Sequence, residues 1–300
     1  MSLVYVILAH RSPNQLARLV SVLEHEDDLF LIHVDAKADP APFVGALEER
    51  LGRPANVEMI RPVRCDWAGF GHVQATLQGI TRVLDRQSEF SHMVLLTGQD
   101  YPIKPRDRIR EHLERHRGVS FMSWSAGDRG ERPDRRGNER WWWHGGLERL
   151  RCRHYLVGRR WIGLPHRYFP FPRPRQLPDG LHPYQGLAYW CLSEQSVRYV
   201  ADFVSARPEV VAFFKRVLGP DENFFQMALL NSPLRHTLVN EDLRYMSWEG
   251  GLHPGVLGVG DFGDLAASPK MFARKFDVTV DAEVLEMIDA KLLGLERSKA

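Results

Sequence analysis

Leu3-Val4-Tyr5-Val6-Ile7-Leu8-Ala9, running into His10-Arg11, opens the chain with an apolar run that has no polar alternation. A run this short and apolar at every position predicts a strand buried on both faces, as in a parallel sheet. Ser12-Pro13 predicts a helix start, with Ser as N-cap and Pro in the first turn, and Leu16, Leu19, Val20 and Leu23 mark one helical face. A second apolar run, Leu29 to Val34, stops at Asp35. The alternation continues with a predicted helix from Phe43 to Leu51, a strand from Val57 to Ile60 and a helix from His72 to Leu84. A strand from His92 to Leu96, a helix from Arg106 to His116 and a strand from Val119 to Trp124 follow. Strand and helix in turn over this length predict the α/β class: a mostly parallel central sheet flanked by helices.

Such sheets bind ligands beyond the carboxyl ends of their strands. His10, Asp35 and Asp100 fall at those ends. No Gly-x-Gly-x-x-Gly and no Walker loop follows any of these strands, which argues against a dinucleotide fold or a P-loop enzyme. The formal net charge of the 300 residues is only +2, so no global drive toward nucleic acid exists. Cys65, Cys152 and Cys191 are too far apart for metal-ligand spacing and odd in number, which suits a reducing compartment. The first apolar run is too short to span a bilayer and lacks the basic flank and cleavage site of a signal peptide; no transmembrane segment is expected.

From Gly127 to Tyr184 the alternation breaks into a segment rich in Arg, Trp, Gly and Pro, including Trp141-Trp142-Trp143. It is too aromatic for a disordered linker. A binding loop and an irregular packed subdomain both remain open. Arg with aromatics also suits single-stranded nucleic acid, but no recognition motif accompanies them, and no nucleic-acid partner is expected. Order returns with a predicted strand from Leu187 to Leu192 and a helix capped by Ser193. Helices from Val210 to Leu218 and Asp221 to Leu230, strands from Leu234 to Val239 and Leu243 to Ser247, and a closing helix from Ala282 to Leu293 complete the chain.

Gly219-Pro220-Asp221-Glu222-Asn223-Phe224-Phe225-Gln226 reads as a chain stop, a helix start and two carboxylates in a first helical turn. Two acids there can be ordinary complements of the helix dipole, or one can be a held general base. Arg274 and Lys275 lie between Phe272 and Phe276, which would anchor the segment while the cations project toward a polar site. Paired cations can neutralise a diphosphate, or they can be a solvated surface pair. No Asp-x-Asp ends a strand; Asp35-Ala36-Lys37-Ala38-Asp39 has the wrong spacing.

Six motifs together resemble a known family. Ile7-Leu8-Ala9-His10, Ile32-His33-Val34-Asp35, Asp66-Trp67-Ala68-Gly69, Thr97-Gly98-Gln99-Asp100-Tyr101-Pro102-Ile103-Lys104, the Gly219 to Phe225 stretch and Phe272-Ala273-Arg274-Lys275-Phe276-Asp277 occur in this order. They are similar in order and spacing to the core-2/I-branching N-acetylglucosaminyltransferases and peptide O-xylosyltransferases of glycosyltransferase family 14. The resemblance runs from about Val4 to Leu293 and implies a GT-A-like fold. It implies one catalytic domain over 1–300, with a nucleotide-binding half (1–125), an irregular insertion near the acceptor side (126–185) and an acceptor and catalytic half (186–300). It also implies an inverting enzyme that uses a UDP-sugar without a metal or other cofactor.

Carried over by position, Glu222 matches the family's general base, and Arg274 and Lys275 the cations on the UDP diphosphate. His253 matches a further phosphate contact. Ala9, His10 and Asp35 match the uridine site, while Cys65, Asp66 and Trp67 match a nucleotide-sugar wall. Asp100 matches the approach to the donor sugar or the diphosphate. Tyr189, Trp190 and Trp248 fall on the acceptor side. The resemblance implies GlcNAc as the first donor sugar and xylose as the next, with a glycan, lipid-linked or peptide-linked acceptor.

The departures divide between the branches. Core-2 enzymes have an arginine near His253. Asn231-Ser232-Pro233, Asn240 to Trp248 and the Arg-Lys pair are closer to the xylosyltransferases, whereas Asp221-Glu222 and Gly186-Leu187-Ala188-Tyr189 are closer to the core-2 branch. The animal enzymes have a membrane anchor and lumenal disulfides; this sequence suggests a bacterial, cytoplasmic relative, peripheral at the inner membrane at most. A non-catalytic sugar-nucleotide or glycan binder on the same fold stays open. A glycoside hydrolase would need a second carboxylate facing Glu222.

Overall fold

The computed structural model describes residues 2–126, 149–158, 160–164, 175–248 and 254–295. Its first half runs β1 (Leu3–Ala9), α1 (Pro13–Leu23), β2 (Leu29–Val34), α2 (Ala41–Leu51), β3 (Val57–Ile60), α3 (Gly71–Asp85), β4 (His92–Thr97), β5 (Asp100–Pro102), α4 (Arg106–Arg115), β6 (Ser120–Met122) and β7 (Ser125–Ala126). The chain continues with β8 (Arg153–Val157), β9 (Arg160–Leu164), β10 (Tyr184–Gln185), β11 (Trp190–Ser193), α5 (Glu194–Ala206) and α6 (Pro208–Phe214). A 3-10 turn (Pro220–Glu222), α7 (Phe224–Leu230), β12 (Leu238–Val239), β13 (Arg244–Met246), α8 (Phe262–Ala267), β14 (Phe272–Arg274) and α9 (Glu283–Lys291) follow.

The central sheet has seven strands in the order β12-β6-β11-β4-β1-β2-β3. β11 runs antiparallel to both neighbours, and all other pairings are parallel. The apolar runs explain the layering. Side chains alternate across a strand, so β1 sends Leu3, Tyr5 and Ile7 into one core and Val4 and Val6 into another. The first core takes α1, α2, α4 and α9; the second takes α3, α5, α6 and α7. A strand flanked by two cores has no solvent face, which is why these runs carry no polar alternation. Tyr5 and Phe30 stack across β1 and β2 with ring centroids 4.8 Å apart.

Three local expectations change. The strand expected from Leu187 begins only at Trp190, and the stretch expected as a strand from Leu234 is a 3-10 turn, Pro233–Thr237, with only Leu238–Val239 paired. The helix expected from Asp221 is split. Pro220–Glu222 forms a 3-10 turn, Asn223 breaks it at φ −135°, and α7 starts at Phe224. Ser193 caps α5 as expected, accepting from the Ser196 N–H. Ser12 makes no side-chain cap; its carbonyl accepts from the Leu16 N–H instead. Trp141, Trp142 and Trp143 lie outside the described residues.

Candidate active site

Four strand ends converge on one cleft of about 460 Å³. β1 contributes Leu8 and Ala9, with His10 and Arg11 just beyond; β2 contributes His33 and, past its end, Asp35. β4 leads into Thr97, Gly98 and Gln99, and β14 into Arg274 and Lys275. The parallel sheet places the ends of β1, β2 and β4 on one side, and β14 reaches the same cleft from a second sheet, so residues far apart in sequence meet there.

The β1–β2 side is held by partly buried hydrogen bonds. Asp35 accepts from the Lys37 N–H at 2.9 Å, and the Lys37 ammonium lies 3.4 Å from its other oxygen. That ammonium also donates to the Cys65 carbonyl at 2.8 Å, tying the Asp35 turn to the next loop. His33 Nε2 accepts from the Val63 N–H, which puts the ring proton on Nδ1, and burial lowers its pKa to about 4. Burial, and then Arg11, also lowers the pKa of His10. Both rings are therefore neutral at pH 7. Burial pushes the Cys65 thiol up to about 12, so it faces the cleft as a neutral, unreactive group.

The cations come from a smaller sheet of β13, β14 and β5. β14 and β5 are antiparallel with Arg274 directly opposite Asp100, which makes their ion pair a cross-strand pair at 3.1 Å. Asp100 is fully buried and also accepts from the Thr97 N–H at 2.6 Å. Arg274 donates further to the Thr97 hydroxyl and lies 4.7 Å from the Tyr189 ring centroid. Burial works against its charge, but Tyr189 and Asp100 more than restore it, so its pKa is raised. Gln15 braces the strand end from α1. Its amide donates to the carbonyls of Gly98 and Phe276, and its oxygen accepts from the Val278 N–H.

Glu222 closes the opposite wall at the end of its 3-10 turn. Gly219, at φ +64°, supplies the reversal that an L side chain resists. A Cβ on Gly219 would sit 2.7 Å from an Arg149 nitrogen, so the glycine also makes room for that guanidinium. Arg149 Nη1 donates to Glu222 Oε2 at 2.6 Å. The Glu222 carbonyl accepts from the Gly186 N–H at 2.8 Å, and a Cβ on Gly186 would collide with the Ser123 carbonyl oxygen. Although 32% of the Glu222 side chain remains open to the cleft, the surrounding protein raises its pKa. Arg149 opposes that rise and Asp221, which also lines the cleft, adds to it. The balance leaves a carboxyl group more basic than an ordinary surface glutamate.

Of the residues singled out in the sequence, Ala9, His10, Asp35, Cys65, Trp67, Tyr189, Glu222, Trp248, Arg274 and Lys275 line this one cleft. Three do not. Asp66 turns away to Arg64 at 3.0 Å and Lys37 at 3.5 Å, and its carbonyl holds the Gly69 N–H in the turn that presents Trp67. Asp100 is sealed behind Arg274, so it orients that guanidinium and has no exposed surface to offer a donor sugar. Trp190 is corrected from the acceptor side to the core: it is fully buried and meets Phe225 edge to face. His253 lies outside the described residues.

Sequence reading missed Arg149, Gln15 and His72, and gave no role to His33 and Thr97 although they stand in its motifs; His72 lies in the cleft lining and the other four are engaged as above. Gln15 carried a signal, being a polar residue beside the apolar face of α1. Arg149 carried none, since it follows an irregular arginine-rich segment. Among the described residues no group of three or more His, Cys, Asp or Glu is arranged to hold a metal ion.

The fold thus brings one carboxyl-bearing turn and one cation-bearing strand end to a single cleft at the strand ends. The chain belongs to the core-2/I-branching enzyme family, a family of glycosyltransferases, whose model matches residues 3–266. It is 26% identical to xylosyltransferase 1 of Homo sapiens over 97% of this chain and 30% of that protein. It is 27% identical to xylosyltransferase 2 of Rattus norvegicus over 97% of this chain and 33% of that protein. The chain thus spans about a third of the length of these relatives. Among solved structures, the nucleoside-diphosphate-sugar pyrophosphorylase from Vibrio cholerae RC9 aligns over 69% of this chain and 80% of its own, with TM-score 0.31 and 10% identity, too distant to argue from. Among the described residues no helix is long and apolar enough to cross a membrane.

Proposed function

We propose that the protein is an inverting glycosyltransferase that moves a sugar, GlcNAc first and xylose next, from a UDP-sugar to a hydroxyl of a glycan, lipid-linked or peptide-linked acceptor, without a metal. What carries the reading is that Glu222 and the Arg274-Lys275 pair line the same cleft. Inversion needs a base near the attacking hydroxyl and positive charge on the departing diphosphate. Glu222 takes the acceptor proton as its oxygen bonds to the anomeric carbon. The bond from that carbon to the diphosphate oxygen breaks, its electrons leave with UDP, and Arg274 and Lys275 meet the resulting charge. The end of β1 at Ala9 with His10 just beyond, and the buried Asp35, take the uridine, and Trp67 walls the nucleotide sugar. The same reading puts the protein in the cytoplasm, peripheral at the inner membrane at most.

One observation favours a second reading. Arg149 already holds a Glu222 oxygen at 2.6 Å, which would suit a sugar-nucleotide binder that never turns over. Thermal shift and UDP release with UDP-GlcNAc, UDP-xylose, UDP-galactose and UDP-glucose, in the presence of EDTA, separate the two. Stabilisation with UDP release from one donor supports the enzyme. Stabilisation with no release from any donor, with candidate acceptors present, supports the binder. A strict need for manganese would contradict the metal-free reading.

A further inference from the structure

The hairpin of β8 and β9 has two unlike faces. Cross-strand partners share a face, so Tyr155 with Ile162 and Val157 with Arg160 stand on one side, and His154 with Gly163 and Leu156 with Trp161 on the other. The inner face is anchored. His154 is buried, its N–H donates to the Arg216 carbonyl at 3.0 Å, and Trp161 Nε1 donates to the Trp67 carbonyl at 2.6 Å. The outer face is open: Val157 is 58% exposed, Ile162 47% and Tyr155 37%. Arginines frame it. Arg151, Arg153 and Arg160 are exposed, and the Arg216 guanidinium lies 4.8 Å from the Tyr155 ring centroid. From Arg149 to Pro178 the sequence has no Asp or Glu. Arg175, just behind, has its pKa lowered to about 10, first by burial and then by Arg153 and Arg216, as expected of crowded cations.

Exposed aliphatic side chains ringed by arginines that have no carboxylate partner among the described residues fit one partner chemistry best, an apolar boundary beneath an anionic surface. Val157 and Ile162 gain nothing from a nucleic acid, which would use flat faces, and the Tyr155 face is already covered by Arg216. We propose that the outer face of the β8–β9 hairpin docks the protein on an anionic lipid surface, with Val157 and Ile162 at the headgroup boundary and Arg153, Arg160 and Arg216 on the lipid phosphates. Trp161 is bonded to the turn that presents Trp67, so docking brings the rim of the cleft to that surface. The proposal gives a surface to the peripheral location in the reading above, but binding is measured without turnover, so the two fail separately.

The test is flotation of the full chain with phosphatidylcholine vesicles, with and without phosphatidylglycerol. The protein should float only with the anionic vesicles and be released by salt. Arg153→Glu with Arg160→Glu should weaken binding more than tenfold, since each arginine near such a surface contributes about fivefold. Val157→Ser with Ile162→Ser should weaken it while UDP binding, measured in parallel to report the fold, is unchanged. No flotation of the folded wild-type chain would overturn the proposal, as would flotation that both double variants retain. So would the absence of flotation combined with retention of a single-stranded oligonucleotide that the arginine variant abolishes, which would give the face to nucleic acid instead.

Discussion

The two walls of the cleft are built by different means. The wall at the ends of β1, β2 and β4 is made of regular elements, and its polar groups are fixed by bonds away from the cleft: Asp35 to Lys37, His33 to Val63, Asp100 to Arg274. The wall that carries Glu222 is a 3-10 turn between a left-handed glycine and a helix break, and its carboxylate is held from the cleft side by Arg149. The first wall stays the same whatever enters. The second has a partner that an incoming hydroxyl must share or displace. On the proposed reading, rigid support serves the binding of the donor, and an adjustable ion pair serves the proton transfer.

Breaking the rigid wall should cost most. Arg274→Met leaves Asp100 fully buried with no cation, and loss of one partner of such a pair costs about 3–5 kcal/mol, read as a fall in the urea midpoint. An unchanged midpoint would mean that Asp100 is not held by Arg274. Lys275 is in the cleft without that supporting role, so Lys275→Ala should leave stability near wild type and weaken UDP binding roughly 10- to 100-fold by calorimetry. Equal loss of stability in both variants would erase the contrast between a supporting and a binding cation.

The Glu222 wall should respond more gently. Gly219→Ala forces an L side chain to φ +64° and crowds Arg149, which should cost about 1–2 kcal/mol of stability. Arg149→Gln should have the smallest effect and a directional one. Arg149 favours the charged form of Glu222, so its removal raises the carboxyl pKa. A general base works only when deprotonated, so the acid limb of the kcat/KM profile should move to higher pH. A limb that stays in place or moves to lower pH would show that the pair does not tune the base.

The same contrast decides what could be read from the sequence. The apolar runs of β1, β2 and β4 and the helices between them were legible because burial on two faces leaves a run without polar gaps. Their ends pointed to His10, Asp35 and the Thr97 to Pro102 stretch. The Asp100–Arg274 pair was not legible as a pair, since the register that joins β5 to β14 brings together residues 174 positions apart in the chain. Trp190 was misjudged because a Gly-Leu-Ala-Tyr-Trp stretch shows which residues approach a cleft but not which side of the strand each one takes. The β8–β9 hairpin was missed although Gly158 offered a turn between apolar positions; the surrounding arginines and prolines masked the alternation. Arg149 could not be found at all, because an ion pair across 73 residues leaves no local pattern.

Glu222→Gln tests the central claim most directly, with UDP affinity by calorimetry and sugar transfer measured on the same preparation. The base assignment predicts transfer reduced by about 10²–10⁴-fold with UDP affinity retained. Transfer at the wild-type rate by the variant would contradict it.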